Sequence, residues 1–235
     1  MSNNIPHTIH YCWFGGKPLP ASVRKYISSW RKFFPGWEIK EWNESNFDVN
    51  AIPYTAEAYK AGKFAFVSDY ARFWILFHYG GVYFDTDVEV IKSMAEIVDA
   101  GAFMGREKAS TVAPGLGIGT PDGHPFYKEM LDHYAALKFS TDANIVDITT
   151  SMLETEGLRE SNSIQQCAGM TIYPVDYFCP IDYETRKLKI TDNTRAIHHY
   201  AESWLPWRTR AINAIGRTFP ALVRLCVRIK KSLHR

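Results

Sequence analysis

The chain predicts an α/β fold built on a Rossmann-like sheet. Three observations carry this. Strand and helix patterns alternate up to about residue 91. Glycine pairs at Gly15-Gly16 and Gly80-Gly81 punctuate them. A chain of 235 residues that is 46% hydrophobic has material for one sizeable core.

Residues 7–13 read as a first strand ending at the first glycine pair. Residues 18–34 are helical, and Pro35-Gly36 stops them. Residues 37–42 alternate as a second strand. A helix around 55–61 precedes a long apolar helix over 64–79, closed by Gly80-Gly81. A short strand at 82–84 leads into Asp85-Thr86-Asp87, and 88–91 continue extended. Further on, 101–106 predicts a strand. Residues 114–123 hold four glycines and two prolines and predict a loop. Helices are expected over 124–137 and 145–155, and strands over 171–178 and 196–199. No internal repeat is visible.

Charge is unevenly spread. Residues 205–235 carry eight Lys/Arg and no Asp/Glu, which leaves 19 basic and 25 acidic side chains before them. From residue 220 a helix would align Leu222, Leu225, Cys226, Ile229 and Leu233 against Arg224, Arg228, Lys231 and Arg235. An apolar stripe with basic flanks suits the plane of an anionic bilayer, or equally a helix packed on the body. Nucleic acid is not expected as a partner. Cys12, Cys167, Cys179 and Cys226 lack metal-site spacing and do not form a disulfide framework. Residues 1–5 are short and polar, without a signal-peptide core, and no stretch is long and apolar enough to span a membrane. A cytoplasmic protein is expected, peripheral at the inner face of the membrane if the basic stretch binds lipid.

Asp85-Thr86-Asp87 is the most informative triplet. In an extended chain, residues two apart share a side, so both carboxylates face one way. They repel unless a cation is near, and hard carboxylate oxygens suit Mg²⁺ or Mn²⁺. Such an ion would neutralise a diphosphate leaving group. Isolated Asp-x-Asp triplets are often solvated turns, but this one follows Phe73, Trp74, Ile75, Leu76 and Phe77, where a core strand should emerge. Glu89 shares the face by the same alternation and is expected to be solvated. Earlier, Asp69 and Arg72 stand three apart on one helix face. Exposed, they would form a salt bridge worth about 0.2–0.5 kcal/mol. Their apolar neighbours Phe66, Val67, Phe73 and Leu76 favour burial and a site.

The run Ser68-Asp69-Tyr70-Ala71-Arg72, a helix, and then Gly80-Gly81-Val82-Tyr83-Phe84-Asp85-Thr86-Asp87 resembles glycosyltransferase family 32. That family holds capsular-polysaccharide transferases and fungal initiating mannosyltransferases, and is related to clostridial glucosylating toxins. Residues 5–16 are similar to its opening strand, and Ile197 through Trp204 to its closing loop. The resemblance covers roughly residues 5–204. It implies a GT-A fold, with a mixed sheet and a Rossmann-like nucleotide half, over residues 1–204. Residues 205–235 are left as a basic amphipathic helical tail.

By the resemblance, Asp85 and Asp87 hold Mn²⁺ or Mg²⁺ with the donor diphosphate. Asp69 and Arg72 fix the sugar, Tyr83 supports them, and Trp13 stacks on the base. His199 and Ser203 complete the metal shell, with His198 the rival because alternation admits one of the two. Trp204 donates its indole N–H to the diphosphate. The donor implied is a nucleotide sugar, a UDP-sugar ahead of GDP-mannose. The acceptor is a saccharide or lipid-linked saccharide in surface polysaccharide synthesis, and transfer retains configuration. Two other classes compete: an effector that glycosylates a protein, disfavoured by the short chain, and a nucleotide-sugar-binding relative without turnover, disfavoured by intact motifs.

Overall fold

The computed structural model describes residues 4–142, 144–183 and 185–201. The basic stretch 205–235, together with Ser203 and Trp204, lies outside the described residues. Strand β1 (Thr8–Cys12), helix α1 (Ala21–Phe33) and strand β2 (Glu38–Trp42) form the first unit, with β1 and β2 parallel. Helices α2 (Pro53–Lys60) and α3 (Phe64–Tyr79) then return the chain to β3 (Gly81–Tyr83), parallel to β1 on its other edge. Helix α3 is apolar nearly all round because it packs inside the molecule.

Its end needs both glycines. Gly80 has φ +60° and Gly81 φ +97°, a backbone region that side-chain-bearing residues rarely enter. A Cβ on Gly80 would lie 2.7 Å from the Asp122 nitrogen, and one on Gly81 2.6 Å from the Thr8 carbonyl oxygen. The pair therefore makes both the turn and the close approach of β3 to β1. His10 secures it. The Trp42 indole donates to His10 Nδ1 at 3.0 Å, which leaves Nε2–H to donate to the Gly80 carbonyl at 3.0 Å.

After β3 the chain crosses to β4 (Val88–Val90), the short α4 (Ala95–Asp99), β5 (Phe103–Lys108) and β6 (Thr111–Val112). A 3₁₀ turn at Pro114–Leu116 precedes β7 (Ile118–Thr120). Helices α5 (Pro125–Ala136) and α6 (Ile145–Thr155) follow, then β8 (Gln165–Cys167), β9 (Met170–Tyr173), α7 (Val175–Phe178) and β10 (Ala196–His198). The sheet runs β2-β1-β3-β7-β5-β9-β8, with β6 on β5 and a separate β4–β10 pair. Strands β1, β2, β3, β5 and β9 share one direction, and β7 and β8 oppose them. The expected mixed sheet is present.

The core covers both faces of the sheet. Cys12, Tyr83, Met104 and Ile172 point to one side, with α2, α3, α5 and α6. Tyr11, Val82, Phe84, Phe103 and Tyr173 point to the other, with α1 and α4. Strands β1, β3, β5 and β9 alternate between two buried layers, as period-two geometry requires.

Two expectations are corrected. The 114–123 stretch is not only loop: β7 lies in mid-sheet. Gly119 is there for packing, since a Cβ would lie 2.3 Å from the Phe103 ring. The strand expected over 171–178 ends at Tyr173, because Pro174 opens a helical turn. Cys12, Cys167 and Cys179 are buried free thiols. Among the described residues no helix is long and apolar enough to cross a membrane.

Candidate active site

A cleft of about 960 Å³ opens where β1, β3 and β5 end. Asp69 and Arg72 reach it from the buried face of α3, one turn apart. Arg72 is buried, and its Nη2 lies 3.1 Å from Asp69 Oδ1 and 3.0 Å from Asp85 Oδ1. Its Nε donates to the Ser68 carbonyl at 3.2 Å, and its guanidinium lies 5.0 Å from the centre of the Tyr83 ring. The Tyr83 hydroxyl donates to Asp85 Oδ1 at 3.0 Å. One guanidinium thus binds two carboxylates from different elements, and a phenol steadies the second.

Asp85 and Asp87 both line the cleft, but not through strand alternation. The segment is a turn, closed by the Val88 N–H on the Asp85 carbonyl at 3.1 Å. The Asp85 N–H donates to the Gly115 carbonyl at 3.1 Å. Its Oδ2 fills the space a side chain would take on Gly115: a Cβ there would be 2.0 Å away. Asp87 Oδ1 lies 3.2 Å from His198 Nε2, and its Oδ2 accepts the Ala201 N–H at 2.8 Å.

The electrostatics separate the three acids. Burial raises Asp69 to about 7, against the pull of Arg72. Burial also raises Asp85, again opposed by Arg72. Asp87 goes the other way: although buried, it is held down to about 2 by His198 and the Ala201 N–H. Burial works against charge on His198 too, yet Asp87 keeps that imidazole well above its usual value. Arg72, despite its burial, is held firmly cationic by Asp85.

Pairing of β10 with β4 decides which histidine faces inward. His198 is opposite Val88, beside Asp87, and lines the cleft. His199 turns away: its Nε2 lies 2.8 Å from Glu89 Oε2, and its ring stacks on Tyr26 at 4.7 Å. The fold thus brings His198, the rival in the sequence reading, to Asp87, and turns His199, the residue named there for the metal shell, away from it. Glu89 is likewise not a solvated member of the acidic face. It leaves the cleft to pair with His199 and, at 3.3 Å, with Lys25. Trp13 stands in the cleft wall, half-buried, with its indole N–H on the Lys17 carbonyl. Lys17, Lys63, Glu107, Gly115 and Tyr200 also line the cleft and were not singled out from sequence. Gly115 carried a signal, a glycine in a proline-bounded loop beside no obvious turn. Glu107 carried none.

The family model described as "glycosyltransferase sugar-binding region containing DXD motif" matches residues 20–104. That span includes Asp69, Arg72, Tyr83, Asp85 and Asp87. An uncharacterized glycosyltransferase, L373, of Acanthamoeba polyphaga mimivirus is 25% identical over 213 residues, 86% of this chain and 84% of its own. Inositol phosphoceramide mannosyltransferase 1 of Schizosaccharomyces pombe (strain 972 / ATCC 24843) is 29% identical over 111 residues, which are 43% of this chain and 33% of that protein. Among solved structures, the PaToxG glycosyltransferase superposes with a TM-score of 0.50 at 18% identity, over 65% of this chain and 70% of that one. The fold is GT-A, and fold, motif and relatives together support a glycosyltransferase of the DXD type.

Proposed function

We propose that the chain transfers a sugar, with divalent-metal help and retention of configuration, from a nucleotide sugar to a saccharide or lipid-linked saccharide. A UDP-sugar is favoured over GDP-mannose as donor. The observation that carries this is the Arg72 bridge: one buried cation orders Asp69 and Asp85 on the cleft floor, with Asp87 and His198 alongside.

The donor set fits Mn²⁺ or Mg²⁺. Asp85 and Asp87 supply hard oxygens, and Asp85 Oδ2 sits in the gap that glycine at 115 leaves open. His198 would take the third place assigned to His199, giving up the proton it holds against Asp87, and Ser203 joins on the sequence resemblance. Among the described residues no three acidic, His or Cys side chains are grouped so as to hold a metal ion by themselves, so substrate oxygens would have to complete the shell. An open set is what a catalytic site needs. When bound, the ion would neutralise charge on the departing diphosphate.

The chain's own groups do the rest. Trp13 offers a flat face to the base. Asp69 accepts from sugar hydroxyls, and Arg72 holds it and Asp85 in place. Trp204 is assigned to the diphosphate by the resemblance alone. The acceptor oxygen attacks the anomeric carbon from the face the diphosphate leaves. One carbon–oxygen bond forms as the other breaks, and the acceptor proton passes to the departing phosphate. No enzyme carboxylate is needed as nucleophile, unlike retaining hydrolases.

The test is nucleotide release from a panel of sugar nucleotides with Mn²⁺ and no acceptor. Release from one donor, abolished by chelator and by Asp87→Asn, supports transfer and names the sugar. No release, with metal-dependent donor binding intact, would leave a binding protein without turnover as the better account, and absence of both would remove the nucleotide-sugar reading altogether.

A further inference from the structure

The cleft, at about 960 Å³, is at the upper end of the roughly 300–1,000 Å³ that single small-molecule sites occupy. Its lining residues are not chemically uniform along the cleft. One wall carries Trp13, Lys17, Lys63 and Phe64. The Phe64 ring packs against Gly15, so the end of β1 and the start of α3 make a continuous surface. Flat rings with two cations suit an anionic nucleotide.

A second stretch of lining comes from β5, the approach to α6, and the segments around β10. It presents Glu107, Asp142, Asn144, Tyr183 and Tyr200. Among the described residues no lysine or arginine lines it. Arg186 is not among the lining residues; it lies 5.4 Å from the Tyr200 ring centre and donates from Nη2 to the His199 carbonyl at 2.8 Å. A phosphate held against this wall would face two carboxylates, and the cation beside it, His198, is already paired with Asp87 at 3.2 Å.

Tyr200 is fixed in place. Its φ is +51°, uncommon for an aromatic residue and a form of strain that clusters at functional sites. The ring lies 4.3 Å from that of His198, which ties this wall to Asp87. The hydroxyl sits between the Cys179 thiol, 2.9 Å away, and the Glu107 carboxylate. Tyr183 meets Tyr200 edge to face at 5.0 Å and is 42% exposed, so a ring remains accessible at the cleft mouth. Sugars present weakly positive C–H faces to the negative face of a ring, and hydroxyl donors to a carboxylate.

We propose that this wall binds the acceptor and selects an uncharged saccharide, with Glu107 accepting a hydroxyl and Tyr183 stacking on the sugar ring, over a phosphorylated one. The proposal rests on the transfer reading above and deepens it.

The experiment uses the full chain, Mn²⁺ and the sugar nucleotide that it hydrolyses. Acceptor-stimulated nucleotide release is compared between methyl mannoside and mannose 6-phosphate, methyl glucoside and glucose 6-phosphate, and myo-inositol and its 1-phosphate. The uncharged member of a pair should stimulate at least ~10-fold more by kcat/KM. Glu107→Lys should shrink that ratio at least ~5-fold. Tyr183→Ala, at a half-exposed position where folding is not at stake, should raise acceptor KM at least ~5-fold with little change in kcat. Equal or better use of the phosphates by the wild type overturns the proposal. So does release that no uncharged sugar stimulates, or a ratio and KM that neither variant moves. Absence of release from every donor by the wild type is a different failure, and it removes the transfer reading itself.

Discussion

Arg72 lies 3.0 Å from Asp85, although the two come from different elements, a buried helix and the turn after β3. The same Nη2 also meets Asp69 at 3.1 Å, while Nε is spent on the Ser68 carbonyl. Only a planar fork with fixed donor directions serves these partners together; an ammonium is a single point charge on a flexible stem.

Arg72→Met removes the buried cation that pairs the part-buried Asp69 and Asp85. It should lower unfolding free energy by about 3–5 kcal/mol, the usual cost of stripping a buried ion pair of one partner. Arg72→Lys keeps the charge and should be milder in urea melts. Its donor hydrolysis should still fall on the order of 100-fold, because Asp85 loses its anchor. Wild-type turnover in Arg72→Lys would show that charge, not geometry, is what the site needs.

Gly115→Ala tests the space around Asp85. The backbone at Gly115 is not in the left-handed region, so alanine is conformationally acceptable. Its methyl, however, would lie 2.0 Å from Asp85 Oδ2, and Asp85 has to move. The expected result is a melting temperature within a few degrees of wild type and nucleotide release reduced about 10–100-fold. A fall in stability with activity per folded molecule unchanged would mean that Gly115 serves packing alone.

The first half of the fold was legible because its signals are local. The apolar run of α3 and the Gly80-Gly81 stop stand in the sequence, and so does the Asp69–Arg72 spacing. What escaped depended on tertiary contact. The sequence around Gly119 reads as loop chemistry, yet glycine is there because the Phe103 ring occupies the space. The choice between His198 and His199 turns on the phase of a three-residue strand, which its register with β4 sets and its own pattern does not. Glu107 lies near the end of β5 with no distinguishing neighbours, and only Tyr200, brought beside it after β10, makes a wall.

Stability should depend on His10 in a calculable direction. Burial is the main cause that lowers its pKa from 6.5 to about 4. The unfolded chain therefore binds more protons between those values. The stabilisation is complete above 6.5 and is lost as pH falls toward 4, by up to ~3 kcal/mol. Asp69, raised to about 7, acts oppositely over much of this window, since a carboxyl that is protonated when folded gains stability on acidification. The wild-type curve alone is thus nearly uninformative. Urea unfolding of wild type and His10→Gln at pH 7 and pH 4.5 isolates the histidine. The wild type's advantage should shrink by about 2–3 kcal/mol at the lower pH. An advantage that does not change would show that His10 titrates normally in the fold.

His198→Ala and His199→Ala separate adjacent residues with different surroundings. His198 is the partner of Asp87 and faces the cleft. Its loss should weaken metal-dependent nucleotide binding about 10–100-fold, the range seen when a group that orients or completes a metal site is removed. His199 holds Glu89 and stacks on Tyr26, outside the cleft. What it gives the site is its backbone N–H on the Asp87 carbonyl at 3.0 Å, and alanine keeps that bond. His199→Ala should cost about 1 kcal/mol of stability, one side-chain hydrogen bond's worth, and leave Mn²⁺ titrations of nucleotide binding near wild type. The reverse pattern, with His199→Ala the more damaging to metal affinity, would mean that β10 shifts register when the metal binds and brings the other ring to Asp87.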